Sequence, residues 1–264
     1  MRRPTLMRRP TMRRLTLAAL AAGLIGAGAA SQARAQEIVL PEEHWTFQGI
    51  FGTFDRAALH RGFQVYREIC SNCHSMNLMH YRNLEEIGFT EDEVKQIAAS
   101  VQVTDGPNDN GEMFERPGKP SDPFKAPFAN PQAARAANNG ALPPDLSLMA
   151  KARVGGPDYI HAILTGYADP PAGLKMQPGM NYNKYFAGHQ IAMPPPLSDG
   201  AVTYADSTKA TVDQMARDVA SFLMWTAEPN LEERHRIGVK TILFLIVLTG
   251  MLYAVKRKVW AEVH

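Results

Sequence analysis

Apolar positions along this 264-residue chain form two helical stripes and two continuous runs. From Asp55 to Cys70, Leu59, Phe63, Tyr66 and Ile69 recur at helical spacing, and Asp55 stands where an N-cap belongs. The period returns after residue 210. There Thr211-x-x-Gln214 has the form of a capping box, Val212, Met215, Val219, Phe222 and Leu223 make one apolar face, and Pro229 sets the end. Periodicity predicts two amphipathic helices and leaves open whether they touch.

The continuous runs lie at the ends. Leu15–Ala30 follows six arginines (Arg2, Arg3, Arg8, Arg9, Arg13, Arg14) and precedes Ala33-Arg34-Ala35, the A-x-A form of a signal-peptidase site. The run is short and rich in Ala and Gly. Residues 1–35 therefore read as a cleaved signal peptide in preference to an uncleaved anchor, with the mature chain starting at Gln36. Arg13-Arg14 leaves both the general secretory and the twin-arginine routes open. Ile237–Val255 is apolar except for Lys240, two threonines and two glycines. Its length gives about 28 Å of helix, close to the roughly 30 Å hydrocarbon core. Lys240 can snorkel to the headgroups, and Tyr253 and Trp260 are placed as interfacial anchors. Lys256-Arg257-Lys258 assigns that end to the cytoplasm. The expected layout is a domain at 36–236 on the periplasmic side of a bacterial inner membrane, a transmembrane helix at 237–255 and a cytoplasmic tail at 256–264; the competing reading of 237–255 is a buried core helix.

Composition changes this picture in two places. Many of the 20 glycines and 19 prolines fall between Gly106 and Pro196, which predicts a loop-rich stretch. The formal charge of +2 hides an asymmetry: residues 36–236 hold 17 Lys and Arg against 25 Asp and Glu, a net of −8. Such a surface attracts basic partners and repels nucleic acid, or serves only to keep the domain soluble.

The chain has two cysteines, in Cys70-Ser71-Asn72-Cys73-His74. A disulfide, a thiol oxidoreductase site and structural zinc are the competing readings. Thioredoxin-like sites follow a strand and open a helix, whereas this motif ends a helical stretch, and zinc needs two further ligands that no second cluster supplies. C-x-x-C-H is the layout of haem c attachment: Cys70 and Cys73 bond the vinyl groups and His74 becomes the proximal iron ligand. A haem that only passes electrons wants its sixth position filled, and thioether sulfur raises the potential. Met149, Met176, Met180, Met193, His161 and His189 are candidates, and spacing does not choose among them. Met193 has the most suggestive setting, because Pro194-Pro195-Pro196 stiffens the chain beside it.

Arg135-Ala-Ala-Asn-Asn-Gly-Ala-Leu-Pro-Pro-Asp-Leu-Ser147, Gly155-Gly-x-Asp-Tyr159, Leu164-Thr-Gly-Tyr167, Tyr185-Phe-x-Gly-x-x-Ile-Ala-Met193-x-Pro-Pro, Ala227-Glu-Pro229 and Tyr253-Ala-x-Lys-Arg257 together resemble the cytochrome c1 family, from about Glu42 to Trp260. The resemblance implies a mainly α, class I cytochrome c-like haem domain with long irregular loops and one C-terminal transmembrane helix. In that fold an N-terminal helix crosses a C-terminal one, and Gly62-Phe63 and Phe222 or Trp225 suit the contact. It implies one covalently bound haem c with Met193 as sixth ligand, and an Arg135 hydrogen bond to a haem propionate. Read without the resemblance, Arg135 is a surface arginine near the end of an alanine-rich helix. The implied role is a subunit of quinol–cytochrome c oxidoreductase, the cytochrome bc1 complex, with cytochrome b as neighbour. It would take electrons from a Rieske iron–sulfur protein and pass them to a soluble or tethered cytochrome c. Glu85, Glu86, Glu91, Asp92, Glu93 and Asp105–Glu115 are then candidates for an acidic docking face. No bond-making residue is required of the polypeptide. The alternatives are a haem subunit of a terminal oxidase, a tethered shuttle, or a peroxidase or gas sensor with an open sixth site.

Overall fold

Asp55 starts the first long helix through its carboxylate, which accepts the Ala57 and Ala58 amides at 2.9 and 3.3 Å. The computed structural model describes residues 38–262, so the expected signal peptide at 1–35 lies outside the described residues. Helix α1 (Arg56–Glu68) is followed by α2 (Glu91–Ala99), α3 (Pro131–Ala137), α4 (Met149–Ala152), α5 (Pro157–Thr165), α6 (Val212–Ala227) and α7 (Leu231–Val259). Two short antiparallel pairs, β1 (Gln102–Asp105) with β2 (Phe114–Pro117) and β3 (Asn181–Tyr182) with β4 (Gln190–Ile191), and 3-10 segments at Cys70–Asn72, Tyr81–Ile87 and Ala187–His189 make up the rest of the regular structure among the described residues. The fold is mainly helical, and the expected loop-rich stretch carries only short elements.

Thr211 caps α6 by accepting the Gln214 amide at 3.2 Å. Gln214 does not complete the capping box. Its side chain donates instead to Asp218, one turn on, at 3.1 Å, because a carboxylate only 1% exposed needs every donor within reach. Arg61 of α1 supplies the countercharge, gripping Asp218 through Nε and Nη2 at 2.9 and 3.0 Å and Asp206 through Nη1 at 2.8 Å. Those bonds outweigh the cost of burying the guanidinium and hold its proton more firmly.

This pair sits beside the crossing of α1 and α6. A Cβ on Gly62 would fall 2.1 Å from the Asp218 carbonyl oxygen and 2.7 Å from the Phe222 Cβ. Glycine is what lets the helix backbones approach so closely. The Phe63 and Phe222 rings then pack with centroids 5.7 Å apart, and Tyr66 lies 5.9 Å from Phe222. Trp225 packs against Phe222 on α6 itself. The two predicted stripes form one core.

Helix α7 extends past both ends of the apolar run 237–255. Its first turn is charged, but Glu232 and Glu233 favour a helix N-terminus electrostatically, so the helix begins inside the domain, where Leu231 is buried. Glu228, between α6 and α7, pairs with Lys151 of α4 and Arg234 of α7. Burial opposes its ionisation, and the two cations outweigh burial and hold the carboxyl below its usual range. Several acidic positions also have local work. Glu91, Asp92 and Glu93 occupy the first turn of α2, where Glu93 completes a capping box with Thr90. Asp105 and Asp122 both pair with Arg116, which holds the Asp122 carboxyl down to about 2.

In a solvent-facing helix interior, Gly→Ala gains about 1 kcal/mol of helix propensity. At Gly62 the added methyl meets backbone, so overpacking wins. Gly62→Ala is expected to destabilise the detergent-solubilised protein by about 2 kcal/mol or more, read as a lower denaturation midpoint; an unchanged or raised midpoint would contradict the crossing.

Candidate haem centre

The motif at the end of α1 folds as a single turn. Cys70–Asn72 form one turn of 3-10 helix, and the Cys70 carbonyl accepts both the Cys73 amide at 3.1 Å and the His74 amide at 2.9 Å. The two residues between the cysteines finish the helix. The Ser71 hydroxyl donates to the Arg67 carbonyl at 2.7 Å, and the Asn72 side chain donates to the Glu68 and Ile69 carbonyls at 3.0 and 3.2 Å. Orphan carbonyls at a helix C-terminus need such donors. Both thiols and the imidazole are therefore delivered by one rigid corner.

Both cysteines are free thiols. Burial pushes the Cys70 thiol up to about 12, with the neighbouring Cys73 adding to the shift. A disulfide oxidoreductase needs the opposite, a thiol whose pKa is depressed to form thiolate. Among the described residues no group of three or more His, Cys, Asp or Glu is placed to hold a metal ion.

His74 Nδ1 lies 2.8 Å from the Pro144 carbonyl oxygen. A carbonyl only accepts, so Nδ1 carries the proton and the Nε2 lone pair is left for a metal. Burial also lowers the His74 pKa against the opposing pull of that bond and of Asp145, favouring the neutral ring that ligation requires. Asp145 stitches the same segment down. Its carboxylate accepts from the Ser75 hydroxyl and the Asn77 amide, both at 2.8 Å, and from the Ser147 amide at 2.9 Å. Burial raises its pKa, and the hydrogen bonds reverse the sign and keep it charged.

Met193 follows β4 and is half-buried. Its carbonyl accepts the Tyr167 hydroxyl at 3.1 Å and the Asn181 side-chain amide at 3.4 Å. The loop is pinned from below by Asn183, which is fully buried. Its Nδ2 donates to the Ile163 carbonyl of α5 at 2.8 Å and its Oδ1 accepts the Tyr185 amide at 3.0 Å. The roles of Pro144, Asp145, Tyr167 and Asn183 emerge only from the fold.

Other expected residues are placed differently. Arg135 lies on the exposed side of α3, with Nη1 donating to the Gly140 carbonyl at 3.0 Å across the helix end. His161 is engaged by carboxylates, with Nε2 2.9 Å from Asp213 and Nδ1 3.6 Å from Glu43. His189 sets Nδ1 3.3 Å from the Asn183 carbonyl. Met149 packs against the core. Met176 and Met180 stand on the loop before β3, Met180 with 36% of its surface exposed. A cavity of about 240 Å³ is lined by Tyr66, Tyr81, Phe124 and Lys125, but its lining includes neither thiol nor His74.

Two thiols in one turn, a neutral imidazole with Nε2 free, and a clamped thioether loop form a donor set that fits haem c. A family model described as the Cytochrome C1 family matches residues 45–263. Cytochrome c1 of Rhodospirillum rubrum is 49% identical over 263 residues, covering 93% of this chain and 97% of that protein. A mitochondrial cytochrome c1 heme protein of Arabidopsis thaliana is 53% identical over 218 residues, 83% of this chain and 71% of that one. Cytochrome b/c1 of Bradyrhizobium diazoefficiens is 48% identical over 274 residues, 95% of this chain and 40% of that longer protein.

Replacing Asn183 with Ala strands the Ile163 carbonyl and the Tyr185 amide. The expected cost is about 2–4 kcal/mol, since buried groups left unpaired incur their full desolvation penalty. Thermal melting should show the loss, and amides of residues 181–193 should exchange hydrogen faster; unchanged exchange there would mean that Asn183 does not pin the loop.

Proposed function

The chain belongs to the cytochrome c1 family, and from that premise we propose that it is the haem-bearing electron carrier of a quinol–cytochrome c oxidoreductase. The observation that carries this reading is the Cys70–His74 turn, with the His74 ring oriented by the Pro144 carbonyl. When bound, haem c supplies a one-electron couple. The polypeptide does the rest. Cys70 and Cys73 would hold the group through thioethers, and His74 Nε2 and Met193 would be its iron ligands. The carbonyl bonds from Tyr167 and Asn181 restrict the Met193 loop, as do the three prolines after it, so less entropy is lost in holding sulfur on iron. Arg135 keeps guanidinium donors beyond the one bonded to Gly140, and these would serve a haem propionate.

Electrons would arrive from a Rieske iron–sulfur protein and leave to a soluble or tethered cytochrome c. Cytochrome b is the expected neighbour, since the Bradyrhizobium relative's name joins b and c1 in one chain. The acidic positions on α2 and the β1–β2 hairpin are mostly exposed, and that exposure supports a docking role for a basic carrier alongside their local pairing. Helix α7 is long and apolar enough to cross a membrane and serves as a single-pass anchor. Lys256-Arg257-Lys258 at its end supports a cytoplasmic tail at 256–264 and a periplasmic domain at 36–236.

Detergent-solubilised membranes test the assignment: cytochrome b and a Rieske protein should co-purify with this chain, and a terminal oxidase in their place would overturn it. Met193→Leu should lower the midpoint potential by about 100 mV or more, because the axial ligand is a principal determinant of potential. It should also let the reduced protein bind carbon monoxide at neutral pH. An unchanged potential moves the ligand elsewhere.

A further inference from the structure

The segment before α1 is a stiff loop with an unusual tip. Trp45, Phe47 and Phe54 are buried, with Phe47 centred 5.6 Å from Trp45 and 5.1 Å from Phe54. The Thr53 amide donates to the Thr46 carbonyl at 3.0 Å, and the Gly52 amide donates to the Gly49 carbonyl at 3.2 Å. This closes a tight turn over 49–52. A Cβ at Gly52 would fall 2.3 Å from the Gln48 carbonyl oxygen, so the backbone is folded hard back on itself. The corners of such a turn usually carry polar residues. Here they carry Ile50, 66% exposed, and Phe51, 83% exposed. Residues 48–53 hold no charge. A lone exposed apolar side chain is ordinary; two adjacent ones at the corners of a rigid, uncharged turn are not.

The position of the tip supplies the reason. Arg56 pairs with Glu232 of α7 at 2.7 Å. The Phe54 amide donates to Glu232 Oε1 at 2.7 Å, and the Gly52 carbonyl accepts from His235 Nδ1 at 3.3 Å. Going back along the loop from 56 to 52 thus advances along α7 from 232 to 235. Continued by one or two residues, that trend leads from His235 toward Ile237, about 3 Å further along the helix axis, where the apolar run begins.

We propose that Ile50 and Phe51 insert into the lipid headgroup–acyl boundary beside α7, a second membrane contact that seats the domain on the bilayer. An aromatic and a branched aliphatic side chain suit that boundary, and the absence of charge at the tip removes the main penalty for entering it. The inference rests on α7 being the membrane anchor.

A benzophenone amino acid placed at Phe51 in the full chain, irradiated in native membranes, tests it. The same label at Leu245, inside the apolar run, is the reference. Phe51 should give phospholipid as its main adduct, as Leu245 does, with haem content and the reduced spectrum unchanged. A main adduct with another polypeptide, or no lipid adduct at Phe51 where Leu245 gives one, overturns the proposal while leaving the anchor intact. Failure of Leu245 to label lipid overturns both. Ile50 labelled in the same way must follow Phe51.

Discussion

Two helix backbones meet at Gly62, and most of the molecule is hung from that meeting. The contact admits no side chain at 62, so the register of α1 on α6 has little freedom to slide. The bidentate Arg61–Asp218 bond acts on the same turn and penalises any slip by exposing a buried carboxylate to an unpaired state. The Cys70–His74 corner ends α1, and α5, to which Asn183 ties the Met193 loop, packs on α6. Both halves of the candidate haem site therefore take their position from one crossing.

The two halves are held by different physics. On the histidine side the geometry is local: a single carbonyl collects two amides, and the residues between the cysteines close the helix with their own side chains. One long-range contact, Pro144 to His74, then sets the proton on Nδ1. On the methionine side the pins that reach across the fold are long-range. The Met193 carbonyl is reached from residues 167 and 181, and Asn183 reaches back to residue 163. A corner built by one turn keeps its shape through small motions. A loop built by distant pins depends on each of them.

That contrast also explains what could be read from the chain alone. The α1 and α6 stripes were legible because burial on one face leaves a period in the residues themselves. Cys70-x-x-Cys73-His74 was legible as a motif because its residue types stand at a fixed spacing in the chain itself. Pro144 was not, since it acts through a backbone carbonyl, a group that every residue carries, and its partner is 70 positions away. Asn183 sits in an Asn-Tyr-Asn run that looks like surface loop, and only its complete burial reveals its part. The capping box at Thr211 forms only by half, because the buried Asp218 claims the Gln214 side chain. The apolar run 237–255 marked the stretch suited to lipid but not the start of the helix, which is set by Leu231 in the core and by Glu228 between two cations.

Those last contacts bear on how an electron carrier works on a membrane. Electron transfer depends steeply on separation, so a carrier gains from a mount that does not swing. Helix α7 is not attached by a slack linker. Glu228 clamps its entry to α4, Arg56 holds Glu232, and the backbone at 52 and 54 holds His235 and Glu232. Arg56 is also the first residue of α1, and the motif lies at the other end of that helix, about 20 Å along it. One rigid rod thus links the collar around the anchor to the Cys70–His74 turn. Helix α1 serves both ends: its first turn grips helix α7, and the Cys70–His74 turn follows directly on its last.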